Sequence, residues 1–216
     1  LESVVEGTMS NPRTLILIPT YNERDNVERL CTEIVEMGID SDILFLDDNS
    51  PDGTGAIIDR LAEEFPRVRT MHRTRKLGIG SAHLRGIAWA FENGYELLVT
   101  MDCDYSHKPE YLPDFINGSK ECDVVIGTRF GASESLREWS LLRRTLTLLG
   151  HFLTRTMLRM KYDATGAFRA YRLDVIPQRL FDLVGASGYS FFFESLFILQ
   201  ANGFTIKEVP IELPAR

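Results

Sequence analysis

TLILIPTYNERDNVERLCTEIVEMGIDSDILFLDDNSPDGT, residues Thr14 to Thr54, decides the fold. Thr14 to Ile18 is a short apolar run stopped by Pro19, which reads as a strand. A polar loop, Pro19 to Glu23, follows it. Asp25 then stands three residues before Glu28, a capping-box spacing, and Val27, Leu30, Cys31, Ile34 and Val35 recur with a helical period until Gly38 ends the helix. Asp42 to Leu46 is a second strand, and it runs straight into the acidic loop Asp47 to Thr54. Strand, loop, helix, strand, loop is the order of a parallel sheet with crossover helices.

The pattern continues outward along the chain. Ile57, Ile58, Leu61, Ala62 and Phe65 mark one side of a second helix, and Val68 to Met71 is a third strand. The segment HRTRKLGIG, His72 to Gly80, leads into a helix from Ser81 to Asn93 that Gly94 terminates. Leu97 to Met101 suits a strand buried on both faces, Asp123 to Gly127 another, and Thr205 to Ile211 a last one. The predicted fold class is therefore α/β, a mostly parallel sheet flanked by helices. Residues Thr14 to Arg216 are expected to form one domain, preceded by a mobile tail over residues 1–13 in which Met9 is a natural start.

Composition bounds the function. The 216 residues are 44% hydrophobic and 25% charged, the values of an ordinary globular chain. A net charge of −7 gives no general attraction to nucleic acid, so any phosphate must be bound locally. Cys31, Cys103 and Cys122 have no metal-ligand spacing and are odd in number, which fits a reducing compartment and a cytoplasmic location. No apolar stretch approaches the roughly 18 residues of a membrane span, and the N-terminal residues lack the layout of a secretory signal.

Chemistry concentrates where strands end. Leu97 to His107 reads LLVTMDCDYSH, an apolar run closing in Asp102 and Asp104. With an extended backbone, residues at i and i+2 share a face, so the two carboxylates converge and Cys103 points elsewhere. Such hard oxygen ligands suit Mg²⁺ or Mn²⁺ completed by substrate phosphates, and without a cation these acids would repel a phosphate. Three strand ends carry polar loops, PTYNE, DDNS and DCDYSH, which brings Tyr21, Glu23, Asp47, Asp48, Asp102 and Asp104 to one crevice. There Tyr21 would stack on a base, and Glu23 and Asp48 would accept hydrogen bonds from ribose hydroxyls or base N–H groups. Lys76, Gly78 and Gly80 invite comparison with phosphate-binding loops, yet they match neither the P-loop nor the dinucleotide pattern. From Leu136 to Lys161, Arg137, Arg143, Arg144, Arg155 and Arg159 interleave with leucines, phenylalanine and methionine. That segment suits either a membrane-interface helix beside anionic lipid or a core-facing helix with solvated arginines.

Taken in order, these motifs resemble the family 2 inverting glycosyltransferases, in the branch of the dolichyl-phosphate mannose synthases. The resemblance rests on PTYNE (Pro19 to Glu23), DDNSPDGT (Asp47 to Thr54), R-x-x-K-x-G-x-G (Arg73 to Gly80), DCDYSH (Asp102 to His107), GTRF (Gly127 to Phe130), TGAFRAY (Thr165 to Tyr171) and EVPIELPAR (Glu208 to Arg216). It implies a GT-A fold, a nucleoside-diphosphate sugar donor with GDP-mannose favoured, a polyprenyl phosphate acceptor, and a peripheral site of work on the cytosolic face of a membrane. By the same resemblance Pro19, Tyr21 and Glu23 would line the nucleoside pocket with Asp48; Lys76 is a further candidate substrate-binding residue. Asp102, Asp104 and the backbone at Cys103 would hold metal and diphosphate, and Ser106 would make a further donor or metal contact. Arg129 and Arg216 would grip phosphate oxygens, and Arg143 or Arg144 would meet the acceptor phosphate. The sequence departs from the usual pattern at Cys103, Lys108 and Ala167, which leaves the sugar and the acceptor open. A polyprenyl-phosphate glycosyltransferase using UDP-glucose or another nucleotide sugar, a transferase to a saccharide hydroxyl with Glu194 or Asp163 as base, and a silent sugar-nucleotide binder are the alternatives.

Overall fold

The structure, a computed structural model, describes residues 12–128, 160 and 162–212. Seven strands in these residues form one sheet: β1 (Thr14–Thr20), β2 (Ser41–Asp47), β3 (Val68–His72), β4 (Leu97–Thr100), β5 (Val124–Thr128), β6 (Arg169–Arg172) and β7 (Ile206–Pro210). Their order is β3-β2-β1-β4-β6-β5-β7. Pairing is parallel except at β6, which runs antiparallel to both β4 and β5. The helices are α1 (Val27–Glu36), α2 (Thr54–Glu64), α3 (Ile79–Glu92), α4 (Leu112–Gly118) and α5 (Ser190–Ala201).

The period of two along β1 explains the layering. Leu15 and Leu17 enter one core with Ala82, Ile87 and Ala90 of α3 and Phe191 and Leu196 of α5. Ile16 and Ile18 enter the other, with Val27, Leu30 and Ile34 of α1, Ile58 and Leu61 of α2, and Leu112 and Phe115 of α4. Because both faces of β1 are covered, all seven of its residues are buried. The result is a sheet sandwiched between two helical layers.

Several boundaries differ from the sequence reading. Pro19 does not stop β1. Pairing with β4 ends at Leu17↔Thr100, while pairing with β2 runs on to Thr20↔Asp47. Since the Leu17 carbonyl accepts from Met101 and the Thr20 carbonyl from Asp48, Pro19 turns its nitrogen toward the side that β4 has already left. Asp25 does not cap α1. Asn26 holds the cap position without a side-chain capping bond, and the Glu23 carbonyl takes the N–H groups of Asn26 and Val27 at 3.0 and 2.9 Å. Arg13, expected in a mobile tail, is tied to Glu96 and Asn93 and lies 4.4 Å from the Tyr95 ring centre. β6, α4 and α5 are additions. α5 reads SFFFESLFILQA, apolar on nearly every side, so it offers no helical period to detect.

Candidate active site

β1, β2 and β3 lie to one side of β1's junction with β4, and the chain then crosses to build the other half of the sheet. Ligands in such sheets bind outside the carboxyl ends of the strands where the order reverses. A cavity of about 270 Å³ opens there. Its walls include Pro19, Thr20, Tyr21 and Glu23 from the end of β1, and Asp48 from β2. Lys76, Ile79 and Ala82 come from the entry to α3, Asp102, Cys103 and Asp104 follow β4, and Tyr189 precedes α5. A second depression of about 520 Å³ lies outside Tyr105, between Arg29 and Glu110, and none of the predicted site residues lines it.

The two acids converge for a reason other than the expected one. β4 ends at Thr100, and 101–107 is a loop in which Tyr105 takes φ = +59°. Asp104 folds back so that its Oδ1 accepts the N–H of Ser106 at 2.9 Å. The N–H of Asp102 donates to Nδ1 of His107 at 2.9 Å, and the His107 ring packs on Phe168 with centroids 5.1 Å apart. This turn, held from behind by a buried imidazole, presents both carboxylates to the cavity. Cys103 between them is 2% exposed, and burial pushes its thiol far above the ordinary range, which disfavours the reactive thiolate.

Adjacent acids at the end of β2 divide their roles. Asp47 faces inward and binds the loops together: its Oδ1 accepts from the hydroxyls of Thr20 and Ser50 at 3.2 and 2.6 Å, and its Oδ2 from the N–H of Ser50 at 3.0 Å. Asp48 faces the cavity, where its carboxylate is paired with Arg73. Asp52 and Thr54 brace the first loop, taking the N–H groups of Arg24 and Glu23 at 3.1 and 3.0 Å. Asn22 and Asn49 both adopt the left-handed conformation, which asparagine tolerates better than most residues. Lys76 places its ammonium 3.8 Å from the centre of the Tyr21 ring.

The pattern of glycosyl transferase family 2 matches residues 15–180. The chain belongs to that family. It is 39% identical over 207 residues to a polyprenol monophosphomannose synthase of Mycolicibacterium smegmatis, covering 94% of this chain and 78% of that protein. It is 38% identical over 205 residues to an undecaprenyl-phosphate mannosyltransferase of Micrococcus luteus, covering 94% and 84%. Among solved structures it resembles glucosyl-3-phosphoglycerate synthase of Mycobacterium tuberculosis in complex with Mn²⁺, UDP and glucosyl-3-phosphoglycerate, with a TM-score of 0.65 and 18% identity over 95% of this chain and 72% of that one. It also resembles a mannosyltransferase of Pyrobaculum calidifontis in complex with GDP-Man and Mn²⁺, with a TM-score of 0.62 and 19% identity over 94% of this chain and 56% of that one. The fold is GT-A and the chain is a glycosyltransferase.

Within this family 2 glycosyltransferase, nine of the predicted site residues fall in the described residues: Pro19, Tyr21, Glu23, Asp48, Lys76, Asp102, Cys103 and Asp104 line the cavity, and Ser106 supports Asp104 from outside it. Arg129, Arg143, Arg144 and Arg216 lie outside the described residues, as does the basic segment 136–161 except Met160. Glu194 accepts the N–H groups of Gly185 and Ala186 at 3.1 and 2.9 Å, and Asp163 accepts from Thr165. Neither lines the cavity. Lys108 pairs with Glu110 and Glu212, and Ala167 is buried with its carbonyl accepting the Thr100 hydroxyl at 2.6 Å. Sequence reasoning missed Thr20, Ile79, Ala82 and Tyr189 as lining residues. Tyr189 belongs to a conspicuous aromatic run, but nothing in linear order says that residue 189 meets residues 76–82.

Arg169, at the start of β6, is a fully buried guanidinium. It donates to the carbonyls of Gly166 and Ala164, both at 2.8 Å, and to the hydroxyls of Tyr171 and Ser195 at 3.3 and 3.2 Å. It thereby ties the loop before β6 to α5. No helix among the described residues is long and apolar enough to cross a membrane.

Proposed function

We propose that this glycosyltransferase moves a mannosyl group from GDP-mannose to a polyprenyl phosphate, with inversion at the anomeric carbon. The observation that carries this reading is one cavity at the reversal of strand order, lined by Asp102 and Asp104 together with Tyr21, Glu23 and Asp48. The names of the two relatives support the lipid phosphate acceptor, and the GDP-Man bound by the Pyrobaculum structure supports the donor.

Asp102 and Asp104 would hold Mg²⁺ or Mn²⁺. Both acids line the cavity, and a pair of hard carboxylates suits an ion whose remaining ligands come from substrate phosphates. When bound, such an ion supplies charge stabilisation to a departing diphosphate. The chain's own residues position the rest. Tyr21 offers a ring face to the base, and Asp48 and Glu23 offer acceptors to base N–H and ribose hydroxyl groups. Arg129, Arg216 and either Arg143 or Arg144 would hold the phosphates of donor and acceptor against their mutual repulsion. Because a phosphate monoester is already anionic, its oxygen attacks without a strong general base.

The basic segment from Leu136 to Lys161 would bring the enzyme to the cytosolic face of an anionic membrane as a peripheral protein. Replacing Arg143, Arg144, Arg155 and Arg159 should weaken binding to anionic vesicles, and unchanged binding refutes that part. The functional test is incubation with Mn²⁺ or Mg²⁺, a panel of nucleotide sugars and a short polyprenyl phosphate, followed by detection of lipid-linked sugar. Product with GDP-mannose is expected. Product only with sugar hydroxyl acceptors, or donor binding without turnover, overturns the reading.

A further inference from the structure

The R-x-x-K-x-G-x-G segment lies beside the cavity without the form of a phosphate-binding loop, and its first residue is the best-anchored side chain near the nucleoside end. Arg73 follows β3 directly, and its backbone N–H donates to the Asp47 carbonyl at 2.8 Å. Its side chain, 9% exposed, places Nε and Nη2 against Oδ1 of Asp48, whose own side chain is 7% exposed. Nη1 donates to the Ser81 hydroxyl at 2.7 Å and Nη2 to the Gly78 carbonyl at 3.5 Å. The other Asp48 oxygen faces the N–H of Leu77 at 3.4 Å. Both oxygens of the carboxylate are therefore fixed by this one segment.

That segment is itself immobilised. Gly78 has φ = +97°, and a Cβ there would lie 2.5 Å from the Ser187 carbonyl oxygen. The N–H of Ser81 donates to the same carbonyl at 3.1 Å. Asp48 borders the cavity, whereas Arg73 does not.

We infer that Arg73 is a positioning residue for base recognition: it sets the Asp48 carboxylate in one orientation, as an acceptor for the N–H edge of the donor's base, without touching the donor. The segment thus serves the nucleoside end of the cavity and not the diphosphate. A planar guanidinium with several fixed donors does this where an ammonium supplies only a point charge.

The inference rests on the nucleotide-sugar reading above, and its test separates the two. Binding of GDP and of inorganic diphosphate, each with Mn²⁺, is measured calorimetrically for the wild type, Arg73→Ala and Arg73→Lys. Arg73→Ala is expected to weaken GDP binding about tenfold or more, as loss of a charged hydrogen-bonding partner would, and to leave diphosphate binding within about twofold. Arg73→Lys should recover part of the loss. In turnover the donor KM should rise while kcat at saturation stays within about twofold. The effect should fail to add to that of Asp48→Asn. Ser81→Ala, which keeps the Arg73–Asp48 pair and removes one anchor, should show the same selective loss at about two- to threefold and serves if Arg73→Ala does not fold. GDP binding by Arg73→Ala equal to that of a GDP-binding wild type, or equal losses for GDP and diphosphate, overturns the inference alone. A wild type that binds diphosphate but no nucleoside diphosphate overturns the functional reading with it.

Discussion

Asp47 and Asp48 show how much one position matters. Consecutive residues at a strand end point to opposite sides, so identical side chains become a loop fastener and a cavity wall. Asp102 and Asp104 show the converse, since a turn, not a strand, brings them together. Tyr105 supplies that turn at φ = +59°, a conformation that costs a tyrosine free energy and that persists because the surrounding contacts enforce it. Asp104→Ala is expected to abolish turnover while leaving the thermal midpoint near that of the wild type; near-normal activity would mean the metal-binding acids are misassigned. Gly80 makes a different kind of demand. A Cβ there would meet Phe191 Cβ at 2.6 Å and the carbonyl oxygens of Gly188 and Ala186 at 2.7 and 2.8 Å, and backbone cannot step aside as a flexible side chain does. Gly80→Ala should cost about 2 to 3 kcal/mol in chemical denaturation. A change below about 0.5 kcal/mol would show that the 186–188 backbone yields freely.

Among the elements, β6 and α5 are joined through one buried side chain beside the strand edge that carries the site. β6 starts at the edge where β4 ends, with Arg169 opposite Thr100, so the loop before it borders the same edge as the acids after β4. Arg169 holds that loop to Ser195 of α5 through bonds to neutral acceptors. Replacing it by leucine keeps much of the aliphatic stem but strands two carbonyls and two hydroxyls in the interior. Arg169→Leu should lower stability by about 3 to 5 kcal/mol, read as a reduced urea midpoint at unchanged slope. A loss under 1 kcal/mol would show those acceptors finding other partners. The glycine-rich entry to α3 is the counterpart on the other side, where close approach to the 185–189 loop brings Tyr189 to the cavity rim.

For the molecule as a whole, the sheet sets stability and one buried ring sets part of its pH dependence. His83 on α3 is fully buried between Phe191 and Phe192, with ring centroids at 5.3 and 5.0 Å, and among the described residues neither nitrogen has a hydrogen-bond partner. Burial, with Arg169 and His107 nearby, lowers its pKa to about 3 from an ordinary 6.5. The fold therefore favours the neutral ring. Its contribution is complete above about pH 6.5 and is lost as the pH falls from there toward about 3, where the unfolded chain binds a proton that the native state refuses. Between pH 8 and pH 5 the stability of His83→Leu should improve relative to wild type by about 2 kcal/mol. Parallel pH profiles for the two proteins would show that His83 is not the group responsible.

The sequence by itself determined the alternation of apolar runs and amphipathic helices, the parallel half of the sheet, and the acids and aromatic residue gathered at three strand ends. Those features are local: a period of two or 3.6 and a polar residue after an apolar run are legible wherever they stand. The tertiary structure alone decided the rest. It inserted β6 antiparallel between β4 and β5, aimed Arg73 at Asp48, turned Pro19 toward an unpaired side of β1, and carried Tyr189 to residues 76–82. Each of these depends on which distant segments meet across a packed interior, and close packing of whole surfaces, unlike periodicity, leaves no mark on the spacing of neighbouring residues.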